Sequence, residues 1–225
     1  MKQRASALRS AILCLLVGAG YAHRLGIDTP RLVPLVEKAP AELCAAAAPF
    51  GGVAARLRQS VIISYEGRDL LLSALLVLDP EAGTAQLVAG QDIGPTVLAL
   101  TVRPGGYALL RPPPPPYDHP RLAEGIAASV RRIFLTPHCP AGTTFSREAR
   151  AYRGRFGDGP AAGHSRLGGE PLVLLEAAGQ GEGGPWRVTY GNYRQGPCGF
   201  LPMAIVYEEP ANRLRVTVWN ESVER

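Results

Sequence analysis

The chain has 225 residues, 46% of them apolar, which allows one large domain or two small ones with a substantial core. Its 26 Gly and 21 Pro favour short strands joined by tight turns over a helix bundle. The formal charge of +5 falls to +2 without Lys2, Arg4 and Arg9, and no basic run exceeds Arg131-Arg132, so the electrostatic footprint of a nucleic-acid binder is absent.

The first residues read MKQRASALRSAILCLLVGAGYAHR. Positive residues come first, then an apolar run from Ala11 to Ala19, then small residues at Val17-Gly18-Ala19 and Gly20-Tyr21-Ala22 that suit cleavage. This is the layout of a secretory signal over residues 1–22, and the run is shorter than the ~20 residues of a membrane span. Cys14 follows Leu13 and not a small residue, so it lacks a lipobox and reads as part of the signal's apolar core. Residues 23–40, with Pro30, Pro34 and Pro40, read as a leader. A domain is expected over 41–225, beginning with a short Ala-rich helix at 39–48.

From Arg56 the pattern changes. RQSVIISYEG places Val61, Ile63 and Tyr65 on one face and Ser60, Ser64 and Glu66 on the other. After a turn at Gly67 comes LLLSALLVLD (70–79), apolar on both faces, so a cover for each face is expected. Turns at 80–83 and 104–106 separate three more strands, at 84–90, 94–102 and 107–112. Together these make a five-strand antiparallel meander. PPPPP (112–116) reads as an extended spacer of roughly 15 Å. Next comes a helix over 119–136, with Asp118 as its cap, Pro120 in its first turn, and Leu122, Ile126, Val130, Ile133 and Phe134 as one apolar stripe. Residues 140–169 are Gly- and Arg-rich and read as a long loop around a weak strand. Strands resume at 170–179, 185–193, 201–209 and 213–221, the second with Trp186, Val188 and Tyr190 on one face, the last with Leu214, Val216 and Val218.

The expected fold is therefore mainly β with some α. A curled antiparallel sheet of about nine to eleven strands, a half-open β-barrel, is covered by one or two helices. Three cysteines follow the signal. In an oxidising compartment one disulfide with one thiol left over is expected, and Cys139 with Cys198, both in Pro/Gly-flanked loops, is the favoured pair. Three unpaired thiols is the alternative.

Catalytic constellations are sparse. GHSRLG (163–168) lacks the spacing of a nucleophile elbow, and His164 beside Ser165, a base and nucleophile on paper, is the sole support for a third reading as a lipid-modifying enzyme. His138, Cys139 and Cys198 lack zinc-site spacing, so no metal is assigned. GQGEGG precedes a strand and reads as a turn. No catalytic residue and no cofactor is assigned, and the chain reads as a non-enzyme. The functional candidate is a surface: the interior of the curled sheet, lined by Val61, Ile63, Tyr65, Leu72, Leu76, Leu98, Leu100, Trp186, Val188 and Val216, under Leu122, Ile126 and Val130 of the helix. The competing reading is that these residues are a filled core.

Several segments together resemble the LolA/LolB superfamily of periplasmic lipoprotein-handling proteins. They are the first strand pair SVIISYEGRDLLLSALLVLDPE, the segment AGQDIGPTVLALTV, the Pro-rich lead into a helix, and the closing pair LPMAIVYEEPANRLRVTVWN. The pattern is most similar to a branch of outer-membrane lipoproteins found with aryl-polyene and related lipid-pathway genes. The resemblance covers roughly residues 42 to 221. It implies binding of a lipid or acylated protein cargo in the half-barrel, without catalysis, and delivery toward the outer membrane. An exported monomer in the periplasm, meeting an inner-membrane transporter or an outer-membrane partner, is the implied setting. The chain departs from the family pattern in its missing lipobox and in the 140–169 insertion. The alternative is an envelope structural or protein-interaction module.

Overall fold

The computed structural model describes residues 26–50, 52, 54–91, 95–158, 162–196 and 199–224. The expected signal peptide, Cys14 and Cys198 lie outside these residues. Among them, no helix is long and apolar enough to cross a membrane.

Twelve strands form one antiparallel sheet with two free edges. The first meander is β1 (Ala55–Tyr65), β2 (Arg68–Asp79), β3 (Thr84–Gly90), β4 (Thr96–Arg103) and β5 (Gly106–Arg111). The second is β6 (Thr144–Arg147), β7 (Ala151–Phe156), β8 (Gly163–Gly168), β9 (Val173–Gly181), β10 (Gly184–Gly196), β11 (Gly199–Glu209) and β12 (Leu214–Glu224). Pairing of β1 with β12 joins the two, so the spatial order is β5-β4-β3-β2-β1-β12-β11-β10-β9-β8-β7-β6. The strand count exceeds the expected nine to eleven because the 140–169 segment is not a loop around one strand. It supplies β6, β7 and β8. Its small residues signal a turn when read in sequence, yet here they permit close pairing: a Cβ at Gly154 would lie 2.6 Å from the Ser165 hydroxyl and 2.9 Å from the Phe145 ring.

The two edge strands, β5 and β6, are consecutive in the chain. The connection between them must therefore cross the sheet. It carries α2 (Pro120–Val130) and a π-helical turn, Arg131–Leu135. The helix spans the expected range, but its cap is His119, whose Nδ1 accepts from the Arg121 amide at 3.2 Å, and not Asp118. The proline run is not one straight rod. It bends where the Tyr117 amide donates to the Pro114 carbonyl at 2.8 Å, and the Tyr117 hydroxyl ties the bend to the Asp69 carbonyl at 3.0 Å.

A short helix, α1 (Pro40–Ala46), buries Leu43 and leads to the buried Ala47 and Phe50. Ahead of it, residues 26–39 lie along the second meander. The Asp28 amide donates to Asn192 Oδ1 at 2.6 Å, and the Tyr152 hydroxyl donates to the Val36 carbonyl at 2.7 Å.

The strand LLLSALLVLD does not have two covered faces. Leu70, Leu72, Ala74, Leu76 and Leu78 are buried, whereas Leu71 is 63% and Leu75 41% exposed. Leu75 pairs across the ladder with Val88, itself 44% exposed. The apolar run thus hides an ordinary alternation with a wet outer face. Leu76→Ala should cost about 2–5 kcal/mol in urea unfolding, and Leu75→Ala, one residue away, less than about 0.5 kcal/mol. Equal losses would mean that the outer face is covered.

Candidate functional site: the interior under the crossing helix

The buried face of the sheet is apolar by alternation. Val61 sits between Leu72 and Val218, Ile63 between Leu70 and Val216, and Leu98 beside Ala89. Against it α2 turns Leu122, Ile126 and Val130, followed by Ile133 of the π-turn, all buried. Gly125 sets the depth of this contact, since a Cβ there would lie 2.5 Å from Leu214 Cδ2.

Between helix and sheet remains a void of about 30 Å³. Of the expected lining residues, Val61, Ile63, Leu72, Leu98, Ile126, Val130 and Val216 surround it. Leu76, Leu100, Leu122 and Val188 belong to the same buried core but lie outside the void. Tyr65 is half-buried and packs against this core outside the void, its ring 6.3 Å from that of His119. Trp186 is also part of this buried core but lies outside the void, and it lines the groove described below. The sequence reading missed Gln59, Ala74, Leu87, Ala89, Ser129 and Val218. The alternation that selects Leu72 and Leu76 also selects Ala74, and that signal was available.

The polar groups near the void are satisfied. Gln59 Nε2 donates to Asn220 Oδ1 at 2.9 Å, and Asn220 Nδ2 donates to the Pro202 carbonyl at 2.7 Å. Ser129 Oγ donates back to the Ile126 carbonyl at 2.7 Å. Buried side chains bonded in this way make no demand on a guest.

The crossing is fastened at its far end. Arg132, in the π-turn, donates to the Glu209 carboxylate at 2.9 Å and to the Tyr207 hydroxyl. Its guanidinium lies 5.3 Å from the Trp186 ring centroid and 5.8 Å from that of Tyr207. Glu209 is only 2% exposed. Burial pushes the Tyr207 phenol up, so its hydroxyl stays protonated. Gly181 and Gly183 leave room for this latch, because a Cβ at either would collide with Arg132 or Glu209. Near the start of the π-turn, Arg131 donates to the Gly106 carbonyl at 2.8 Å.

Beside α1 lies a second compartment of about 210 Å³, walled by Ala47, Phe50, Pro80, Phe134, Pro137 and His138 among others. A disulfide between Cys44 and Cys139 closes one side of it. The expected partner of Cys139 was Cys198. The fold corrects this by bringing α1 against the end of the crossing, where the two Cα atoms stand 5.2 Å apart. His138 is 3% exposed, and its Nε2 is 2.9 Å from the Tyr190 hydroxyl. Burial pushes its pKa from 6.5 down to about 4.

On the second meander a groove of about 830 Å³ is lined by Arg153, Arg155, His164, Glu176, Trp186 and Arg187, among others. His164 Nε2 is 3.4 Å from Glu176 Oε1. Ser165, fully buried, is the next residue along β8 and so points to the opposite face of the sheet. His164 and Ser165 therefore do not form a base–nucleophile pair. Among the described residues no three His, Cys, Asp or Glu side chains cluster as metal ligands.

No family model and no curated protein matches the sequence. Solved structures do match the fold. A LolA superfamily protein from Nitrosomonas europaea superposes with a TM-score of 0.51 at 8% identity, over 84% of this chain and 94% of that one. A Vibrio parahaemolyticus domain described as an outer-membrane lipoprotein-sorting protein gives 0.48 at 11% identity, over 82% and 89%. A DUF1329 family protein from Desulfovibrio piger gives 0.44 at 7% identity, over 82% and 89%. The fold is LolA-like: one open, curled antiparallel sheet with two helices.

Two measurements test this site. Arg132→Met leaves a buried carboxylate without its cation and should cost about 3 kcal/mol, whereas Arg132→Met with Glu209→Gln should recover most of that loss in urea melts. A double variant no better than the single one would show that the pair is not the fastening. For His138 the folded pKa lies below the unfolded one. The unfolded chain therefore takes up the proton first as pH falls, and the stability present above about pH 6.5 drains away toward pH 4. Between pH 7 and pH 4.5 the wild type should lose about 2–3 kcal/mol more than His138→Gln. Parallel pH profiles would place His138 in contact with solvent.

Proposed function

We propose that the protein is a non-catalytic carrier that holds acyl chains of a lipid or acylated protein between the sheet and the crossing helix. The observation that supports this best is that the apolar face of the first meander is covered by one crossing segment, bent at Pro114–Tyr117 and fastened at Arg132. The likeness in fold to a LolA superfamily protein supports it as well. In this reading residues 1–22 export the chain to the periplasm and residues 41–225 form the carrier domain. The molecule acts as a monomer that receives cargo from an inner-membrane partner and gives it up toward the outer membrane.

The closed state sets an energetic threshold. Lifting the helix exposes Leu122, Ile126, Val130 and Ile133, at about 1.5–3 kcal/mol each, or roughly 6–12 kcal/mol together. An incoming chain returns about 0.8 kcal/mol per buried methylene. Chains of about 8 carbons fall near the bottom of that range, and chains of about 12–16 carbons offset it. The void of about 30 Å³ is too small for any chain in the closed state, so uptake requires the lid to move.

That same small void supports the second reading, in which the interior is a permanent core and the protein is an envelope structural or interaction module. Mass spectrometry of an organic extract from protein purified out of its native envelope separates the two. A stoichiometric acyl species is expected for a carrier. In a titration with alkyl chains of increasing length, displacement of an apolar dye should set in at about 10–12 carbons. An empty extract together with no dye uptake would leave the permanent core standing.

A further inference from the structure

The face of the sheet turned away from α2 is not uniform. Among the described residues the exposed large apolar side chains are Val36, Phe200 and six on the first meander: Leu71, Leu75, Val88, Tyr107, Leu109 and Leu110. Residues directly opposite on neighbouring strands share a face. The ladder therefore sets Arg58, Leu75, Val88, Ala99 and Arg111 in one row across β1 to β5 on the outer face. Leu71, beside Ile62 of β1, lies on the same face of β2. Leu110, 70% exposed, sits at the bulge beside Arg111. The middle strands β2 and β3 thus present aliphatic chains, and an arginine stands on either side of them.

The charges around this strip are lopsided. Strands β1 to β5 carry Arg56, Arg58, Arg68, Arg103 and Arg111 against Asp69 and Asp79. None of these arginines forms an ion pair with a described residue. On the adjacent β12, Glu221 accepts from the Ser60 hydroxyl, and Glu224 stands opposite Arg56. In the second meander, by contrast, Arg153 meets Glu148 at 2.8 Å and Arg187 lies 4.0 Å from Glu176.

An aliphatic strip between unpaired cations matches a surface that is apolar inside and anionic outside. A bilayer containing anionic lipid is such a surface. Leu and Val side chains enter its acyl boundary, while arginine stems lie along them and hold the guanidinium groups among the phosphates. A second copy of the chain would set these arginines against one another. The row also lacks the aromatic anchors that dominate protein interfaces.

We propose that the outer face of the first meander docks on a bilayer bearing anionic phospholipid, through Leu71, Leu75, Val88 and Leu110, with Arg58 and Arg111 on the headgroups. This goes beyond the carrier reading and does not depend on it.

Co-sedimentation of the protein, purified out of its native envelope, with lipid vesicles tests it. Vesicles of phosphatidylglycerol and phosphatidylcholine in equal parts should bind it at least about tenfold more tightly than phosphatidylcholine alone. Arg58→Gln with Arg111→Gln should weaken that binding at least about tenfold, and Leu75→Asn with Val88→Thr should weaken it by roughly tenfold. All four positions are on the surface, so the variants should fold. In Leu75→Trp the added emission, read against the wild type with its Trp186 and Trp219, should shift to the blue on anionic vesicles and be quenched by brominated lipid. That readout locates the contact even where another part of the chain also holds the vesicle. No binding of the wild type, equal binding to both vesicle types, an unaffected arginine double variant or an unquenched Leu75→Trp on bound vesicles would each overturn the proposal. So would a wild type that ignores vesicles yet holds an acidic protein and loses it in the arginine double variant, since a protein would then be the occupant.

Discussion

Strands β5 and β6 are neighbours in the chain and the two opposite edges of the sheet. That single topological fact imposes most of the molecule. Two antiparallel meanders joined by β1 and β12 leave the connection between their outer edges no short route. It must traverse the open face of a sheet twelve strands wide, and to do so beside apolar side chains it must bury an apolar stripe of its own. A helix also satisfies its own backbone hydrogen bonds, so it can lie over Leu72 or Leu98 without leaving unpaired amides there. The cover of the interior thus follows from chain connectivity.

A segment fixed by connectivity at its ends is still free in its middle, and the fastening at Arg132 bears on that freedom. The guanidinium meets the Glu209 carboxylate, the Tyr207 hydroxyl and the face of Trp186. Buried ion pairs add little net stability over apolar substitutes, but they specify one arrangement sharply, because half-broken geometries leave a charge unpaired. Placed at the C-terminal end of the crossing, such a pair favours a segment that is fully seated or fully released over one that is loosely ajar. The close approach at Gly125 acts in the same direction, since the helix seats at full depth against Leu214 or loses that contact altogether.

The strands of the first meander, the crossing helix and the last two strand pairs were legible because period-2 and period-3.6 patterns survive in them. Val61, Ile63 and Leu72 could be assigned to the interior by the same rule. The outer face of β2 was misread because Leu71 and Leu75 look like core residues, and only neighbouring strands decide whether a face is covered. Strands β6 to β8 were hidden by Gly and Arg. Glycines that pack against Ser165 or Trp186 carry the same letter as glycines in a loop. The Cys44–Cys139 pairing was illegible for a related reason. It depends on α1 meeting a loop 95 residues away, and flanking prolines say nothing about distance in space. The latch could not be read at all, since Arg132 and Glu209 are ordinary charged residues until the fold buries them together.

The carrier and the permanent core need not be rival descriptions of this fold. A cavity that closes when empty looks like a core, because apolar walls without a guest collapse toward native packing density. What separates the two is the depth of the closed minimum relative to the gain from a guest. In the carrier reading, every contact that tightens α2 on the sheet is subtracted from the affinity for a guest, which can shift the equilibrium only by its preference for the open state. The satisfied polar groups around the void act on the closed side of that balance. Gln59, Asn220 and Ser129 have their partners in the closed state and favour staying closed.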